Sequence, residues 1–309
     1  MLPFVRMLEY GNIRPVYENT GKYELQTLTA PIPASRVAPA LCSDGSYIYG
    51  YGGMGPGGTL GSTRTDLWRF DYSDNSFWTI SSNLDGQRTN AGIVYYNSKI
   101  YVLGYEFNSG STYGTFFTYN LSSGQKANIT GDAGRPTASA DYEIIVHEDL
   151  FYVMHSATNI LYVYNVTSNT WSSSNVIGFN KASGKSKMCL LNGKLYIIGR
   201  LYNNFLVQYD LSTKITTNMP VPPGVTNEST VRPFYVQAVQ DELYAFVQST
   251  VYKFNFNTNS WVLVNDSNNI TINTTSYINS PNPSDKAAVY SFNDSGDANI
   301  ASTRVYKIS

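Results

Sequence analysis

The sequence predicts an all-β propeller, and three observations carry that prediction. A four-residue signature (aromatic, Asp or Asn, apolar or aromatic, small polar) returns at Phe70, Tyr119, Tyr164, Tyr209 and Phe254, in steps of 49, 45, 45 and 45 residues. A Tyr-centred apolar run precedes each signature, with Tyr49, Tyr101, Tyr152, Tyr196 and Tyr244 spaced 52, 51, 44 and 48 apart. The composition is rich in Tyr (26), Asn, Ser and Thr and only 14% charged, which suits strands and tight turns rather than long surface helices.

Each unit resolves into four short strands. The first is apolar and precedes a polar turn, as in Gly92-Ile-Val-Tyr-Tyr and Lys187-Met-Cys-Leu-Leu. The turns are Ser43-Asp-Gly, Asn97-Ser, His147-Glu-Asp, Asn192-Gly and Gln240-Asp, residue types that tolerate hairpin geometry. The second strand is the Tyr run: Ser46-Tyr-Ile-Tyr-Gly, Lys99-Ile-Tyr-Val-Leu-Gly, Asp149-Leu-Phe-Tyr-Val-Met, Lys194-Leu-Tyr-Ile-Ile-Gly and Glu242-Leu-Tyr-Ala-Phe-Val. The third ends at the signature aromatic. The fourth returns after the polar turn, and in three units a tryptophan marks it: Trp78, Trp171 and Trp261, lying 8, 7 and 7 residues beyond the aromatic. Four antiparallel strands in about 45–50 residues is the period of a propeller blade.

The stretch YIYGYGGMGPGGT at 47–59 contains Gly53, Gly55 and Gly58 in the spacing G-x-G-x-x-G. A dinucleotide-binding loop of that pattern must open a helix, so that free N–H groups face the anion. Pro56 interrupts it, and the run Asp66-Leu-Trp-Arg-Phe-Asp71 that follows reads as a strand. The glycines are therefore assigned to a tight turn with positive φ at the end of a second strand (Gly50, Gly52, Gly53) and to the loop that leaves it.

The turn, Tyr-Ile-Tyr-x-x-Gly-Gly, variable loop, aromatic-Asp and Trp pattern resembles the Kelch repeat. The unit Arg36–Ile80 matches best, with Gly52-Gly53 as the family's double glycine and Trp78 as its tryptophan. Later units depart from the pattern: Gly104 and Gly199 keep one glycine, the third and fifth units keep none, and the second and fourth lack the Trp. No Trp-Asp pair ends a unit, so a WD-type propeller fits less well. The resemblance implies one domain over 1–309, a Kelch-type β-propeller of six four-stranded blades at approximately 36–80, 88–130, 135–175, 185–217, 231–264 and 277–309. The last is split. Lys286–Phe292 and Thr303–Ser309 resemble its middle strands, and residues 22–28, with Tyr23 in the Trp place, complete it. That closure would remove an open sheet edge. Val16-Tyr-Glu-Asn-Thr-Gly also resembles the hairpin, so the N-terminus supplies one strand or two.

Function classes narrow from here. Lys plus Arg is 21 against 22 for Asp plus Glu, without the basic excess of a nucleic-acid binder. No apolar run approaches a membrane span, and the first residues, MLPFVRMLEYGNIRP, lack a secretory core and cleavage site. Cys42 and Cys189 fall on first strands of opposed blades and are expected as free, buried thiols. His147 and His155 sit at the two ends of one strand, roughly 26 Å apart, and cannot share a metal. Kelch-fold sugar oxidases pair two His and two Tyr with a Tyr–Cys crosslink at copper, which these residues do not match. No Ser–His–Asp set is present and no metal or cofactor is expected.

Two sets of candidate sites remain. Arg36, Arg88, Arg135, Lys185 and Arg232 precede successive first strands in steps of 52, 47, 50 and 47. In a closed ring they would encircle the axial mouth and grip carboxylates or phosphates; some Kelch adaptors bind acidic peptide loops with arginines so placed. The competing reading has each hydrogen-bonding loop carbonyls of its own blade. Asn-x-Ser/Thr sequons occur at Asn120, Asn128, Asn165, Asn227, Asn265, Asn269, Asn273 and Asn293, a number this composition brings close to chance. The cluster at 265–273 is the best glycan carrier if the chain is secreted.

The expected function is a non-catalytic binding scaffold for a protein, peptide or glycan, using loops of one propeller face and the basic mouth. The alternatives are a Kelch-fold sugar-processing enzyme (epimerase or oxidase) and a structural subunit of an extracellular assembly, homo-oligomeric or otherwise. Low charge and the sequon cluster point to an extracellular or cell-surface location, with the cytoplasm as the alternative.

Overall fold

A computed structural model describes residues 23–28, 39–53, 64–71, 76–82, 84, 91–104, 115–131, 133–137, 142–155, 158, 160–175, 187–199, 205–225, 234–239, 241–247, 250–265, 288–294 and 301–308. Among them there is no helix. The first strand is β1 (Tyr23–Leu28). Blade one follows as β2 (Ala40–Ser43), β3 (Tyr47–Tyr51), β4 (Leu67–Asp71) and β5 (Ser76–Ser81). Blade two is β6 (Gly92–Tyr96), β7 (Lys99–Gly104), β8 (Thr115–Asn120) and β9 (Lys126–Asn128). Blade three is β10 (Tyr142–His147), β11 (Leu150–His155), β12 (Ile160–Asn165) and β13 (Thr170–Asn175). Blade four is β14 (Lys187–Leu191), β15 (Lys194–Gly199), β16 (Phe205–Asp210) and β17 (Thr216–Met219). Blade five is β18 (Phe234–Val239), β19 (Glu242–Val247), β20 (Thr250–Asn255) and β21 (Ser260–Asn265). The chain ends with β22 (Ala288–Asp294) and β23 (Ala301–Ile308).

Each blade is an antiparallel meander in sequence order, and the first strands β2, β6, β10, β14 and β18 are neighbours in turn. The molecule is an all-β propeller, and among the described residues five blades have four strands each, where six are expected. The remaining sheet has three strands in the order β1-β23-β22, with Tyr23 opposite Ile308 and Leu28 opposite Thr303. No fourth strand of this sheet falls among the described residues, and residues 266–287, which precede β22, lie outside them.

Period-2 alternation explains how the blades stack. One face of blade one, with Cys42, Tyr49, Tyr51 and Leu67, packs on Ile93, Ile100, Val102 and Phe117 of blade two. Blade two turns Val94, Tyr101, Leu103 and Phe116 to Ile144, Phe151, Val153 and Tyr164 of blade three. Blade three presents Tyr152, Met154 and Leu161 to Met188, Leu195, Ile197 and Val207 of blade four. Blade four presents Cys189, Tyr196, Ile198 and Leu206 to Val236, Leu243, Ala245 and Phe254 of blade five. The recurring tyrosine of the second strand thus faces the next blade, and the residue before it faces the previous one.

Glycine usage in blade one divides in two. Gly52 and Gly53 take φ of 65° and 95°, the left-handed turn expected of them. Gly50 does not; it is required for space, because a Cβ there would lie 2.0 Å from Cζ2 of Trp68. Residues 54–63, including Gly55 and Gly58, lie outside the described residues.

Trp78 corrects the reading of blade one. In blades three and five the tryptophan pairs with the signature aromatic, Trp171 with Tyr164 and Trp261 with Phe254. In blade one Phe70 pairs with Phe77, and Trp78 pairs with Arg69. The lag of 8 rather than 7 therefore places Trp78 on the other face of the sheet, where it is 53% exposed. Phe77 occupies the repeat's position, its ring 4.8 Å from that of Phe70.

Candidate functional site

The two ends of the propeller differ in how their turns are held. A meander puts the 1–2 and 3–4 turns at one end, and backbone bonds join them: Leu121 N–H to Ser98 O (3.1 Å), Val166 N–H to Asp149 O (3.0 Å) and Leu211 N–H to Gly193 O (3.1 Å). The recurring Asp or Asn caps the 3–4 turn with its side chain. Asn120 Oδ1 accepts from the N–H groups of Ser122 and Ser123, both at 2.9 Å. Asn165 Oδ1 accepts from Ser168, Asp210 from Ser212 and Thr213, and Asn255 from Asn257 and Thr258. Hydrogen bonds from the Ser212 hydroxyl first, then from the backbone of Thr213, pull the Asp210 carboxyl down to about 2. Neighbouring blades are also tied at this end, where Tyr96 donates to Asp149. The opposite end carries the 2–3 loops and the connections between blades. Its described parts include Tyr51 Oη donating to Leu84 O at 2.9 Å and Tyr142 Oη donating to Thr137 O at 2.6 Å.

Of the five basic candidates, the described residues contain Arg135 alone; Arg36, Arg88, Lys185 and Arg232 lie outside them. Arg135 is half-buried. It follows Gly134, whose backbone (φ 79°) packs against Trp171 of β13, so the chain crosses the outer part of blade three here. Among the sequons, Asn120 and Asn165 are turn caps, and Asn128 is exposed on the outer strand β9. Asn265 ends β21 and Asn293 lies in β22, while Asn227, Asn269 and Asn273 fall outside the described residues. Register places His147 and His155 at opposite ends of the β10–β11 hairpin. Among the described residues, no three His, Cys, Asp or Glu side chains converge as metal ligands.

A buried polar line along the first strands is the feature sequence reasoning missed. Glu143 on β10 and Lys187 on β14 form an ion pair at 2.6 Å, with side chains 8% and 17% exposed. The Met188 N–H adds a bond to the Glu143 carboxylate. Burial still raises the Glu143 carboxyl above its ordinary range, against the lowering pull of Lys187. Both cysteines are free and buried. Cys42 receives a hydrogen bond from the Tyr95 N–H of the next blade, and Cys189 from Ala238. Desolvation pushes both thiols well up, which keeps them protonated and unreactive. The signal was present: a carboxylate inside Tyr142-Glu-Ile-Ile-Val, and a lysine opening the next blade's first strand.

On the rim of blade one the Arg69 guanidinium lies 4.6 Å from the Tyr47 ring centre and 5.8 Å from that of Trp78. This is an exposed indole backed by a cation, a pairing suited to stacking on a flat apolar face while offering hydrogen bonds beside it. A scan against protein-family models gives no match to this chain, and a search of curated proteins gives none either.

Proposed function

We propose that this propeller is a non-catalytic binding scaffold that engages a protein, peptide or glycan, with the loop-bearing end and the adjoining rim of blade one as its working surface. The observation that carries the reading is the division between the ends. One end is closed by short turns whose backbone groups are bonded between turns and capped by Asn120, Asn165, Asp210 and Asn255. This reading assigns the long connections to the other end; in sequence they carry Arg36, Arg88, Lys185 and Arg232 ahead of the first strands, and Arg135 lies over the outer part of blade three. Loops set on a rigid scaffold are where recognition is concentrated, and cations grouped there favour an acidic ligand. The exposed Trp78, out of phase with the repeat, adds a stacking surface.

The same reading takes the ring as Kelch-type and six-bladed, closed where β1 joins β23. Burial supports it. Leu41, Ile48, Trp68 and Phe70 on blade one, and Gln237, Tyr244 and Val251 on blade five, are buried on faces that lie outside the four inter-blade clusters. It also places the protein outside the cell, with Asn128 as an accessible acceptor for a glycan. The test is a binding screen of the purified protein against glycans and acidic peptides, repeated with Arg88→Ala, Arg135→Ala and Trp78→Ala. Loss of affinity in Arg88→Ala supports the basic mouth, and loss in Arg135→Ala supports a contact beside blade three; unchanged affinity in all three removes these residues from the reading.

A further inference from the structure

The outer strands can be compared position by position, because the register aligns them. In every blade the two mid-strand positions after the Trp place are exposed: Trp78 and Thr79, Ala127 and Asn128, Ser172 and Ser173, Thr217 and Asn218, Val262 and Leu263. Blades two to four fill them with small or polar residues, as an outer edge in water requires. Blade five fills them with Val262 and Leu263, which are 49% and 53% exposed on opposite faces of the strand. The neighbouring turn adds Phe256, also about half exposed at 48%. The strand Ser260-Trp-Val-Leu-Val-Asn265 is six residues long, without charge or proline, and the sheet order ends at it. The register against β20 slips at Val264, a bulge near the strand's end, so the uncharged edge Ser260–Leu263 ahead of it presents the N–H and C=O groups that can template another strand.

We infer that the β21 edge is a homodimer interface, two copies of this chain joining blade five to blade five as one continuous sheet. Self-complementarity argues for a second copy as the occupant. Antiparallel pairing about a two-fold axis normal to the sheet sets Val262 against its own counterpart and Trp261 against the counterpart of Leu263, twice over. The central pairs are then apolar, with Ser260 opposite Val264 at each end, and no charge on the strand meets its like. The equivalent pairing of β9 would bring Lys126 near its own copy, and that of β13 or β17 would join serines or threonines with little apolar gain. Among the described outer strands only β21 has both positions apolar, so association closes at two rather than propagating. This inference is independent of the ligand-binding reading.

Sedimentation equilibrium of the full chain over a wide concentration range tests it. The wild type is expected to shift from 34.3 kDa towards twice that mass as concentration rises. Leu263→Lys is expected to stay at the monomer mass, and Ser173→Lys, at the equivalent site of blade three, to dimerise like the wild type. Far-UV circular dichroism checks folding, and Leu263→Thr, a milder change, is expected to weaken the dimer at least tenfold if the lysine variant unfolds. A wild type that is monomeric at every concentration overturns the inference, even if it captures an extended peptide. So does a Leu263→Lys chain that is folded and dimeric, or a Ser173→Lys chain that is folded and monomeric.

Discussion

Replacing Lys187 by methionine removes the cation from a pair that joins blade three to blade four. The Glu143 carboxylate is then left in a site where its side chain is 8% exposed, with the Met188 N–H as its remaining donor. Breaking a buried pair from one side costs about 3–5 kcal/mol. The 17% exposure of the Lys187 side chain lets water reach the vacated position, which argues for the lower figure, about 3 kcal/mol. The pH dependence is the sharper test. Glu143 is raised in the folded protein, so the folded state holds its proton more tightly than the unfolded chain. Its contribution to stability is therefore fully present below the unfolded value, about 4.3, and is lost as pH rises through the folded value. Lys187 supplies two of the influences that hold the folded value down, its charge and its hydrogen bond. Without them the loss continues to higher pH. Urea midpoints of wild type and Lys187→Met, compared from about pH 4 to about pH 8, should differ little at the acid end and most at neutrality. Apart from the substituted Lys187 itself, the other titrating groups are common to the two proteins and cancel. The double variant Glu143→Gln/Lys187→Met should recover much of the loss, because no buried charge remains. A stability difference that stays constant across the range would refute the assignment of the cost to an ionised Glu143.

Three further outcomes follow from the packing. Gly50→Ala would drive a methyl to 2.0 Å from the Trp68 ring; thermal melts should show a loss of about 1–3 kcal/mol or more, partly rescued by Trp68→Leu. Phe77→Ala should cost about 2 kcal/mol, less than a fully buried phenylalanine, while Trp78→Ala should leave the melting temperature nearly unchanged; the reverse order would refute the one-residue offset of blade one. Asn255→Ala removes an acceptor for two backbone N–H groups, and denaturant titration should show a loss of about 1 kcal/mol.

Most of the blade pattern was legible because two signals of different period agree. Alternation marked the strands, and a recurrence of about 45 residues marked the blades. The Asp or Asn of the signature was readable as a turn residue, and the bonds at Asn120, Asn165, Asp210 and Asn255 show its work. What escaped was anything decided by a single register step or by a neighbouring blade. Trp78 lies one residue beyond the repeat's place, and one residue reverses the face. Gly50 was assigned to turn geometry, yet its constraint is the indole of Trp68 on the adjoining strand. Glu143 and Lys187 are 44 positions apart in sequence, and only the apposition of β10 and β14 makes them a pair. The basic residues were chosen by their phase, which does not say where a connection runs; the contact between Gly134 and Trp171 carries the chain over the outer strand at Arg135.

A stack of separate sheets has two edges per blade, and the two are treated by different chemistry. At the inner edge each blade's first strand lies beside the next, close enough for a side chain to reach across. Cys42 Sγ takes the Tyr95 N–H, the Glu143 carboxylate takes the Met188 N–H, and Cys189 Sγ takes the Ala238 N–H. Donors that the first strand cannot use within its own sheet are thereby satisfied without water, and a small polarisable thiol does this at little desolvation cost. The two cysteines stand at the same place in their blades, each opposite the recurring tyrosine, Tyr49 and Tyr196. That shared position makes them parts of the ring's inner seam rather than leftover thiols. The outer edge has no such neighbour among the described residues, and its protection is composition, joined in blades one and five by a bulge near the end of the outer strand. Serine, threonine and asparagine supply it in blades two to four, and the polarity stops at β21. An edge that the rest of the repeat takes care to blunt, left apolar in one blade, is the place where this scaffold has room for another strand.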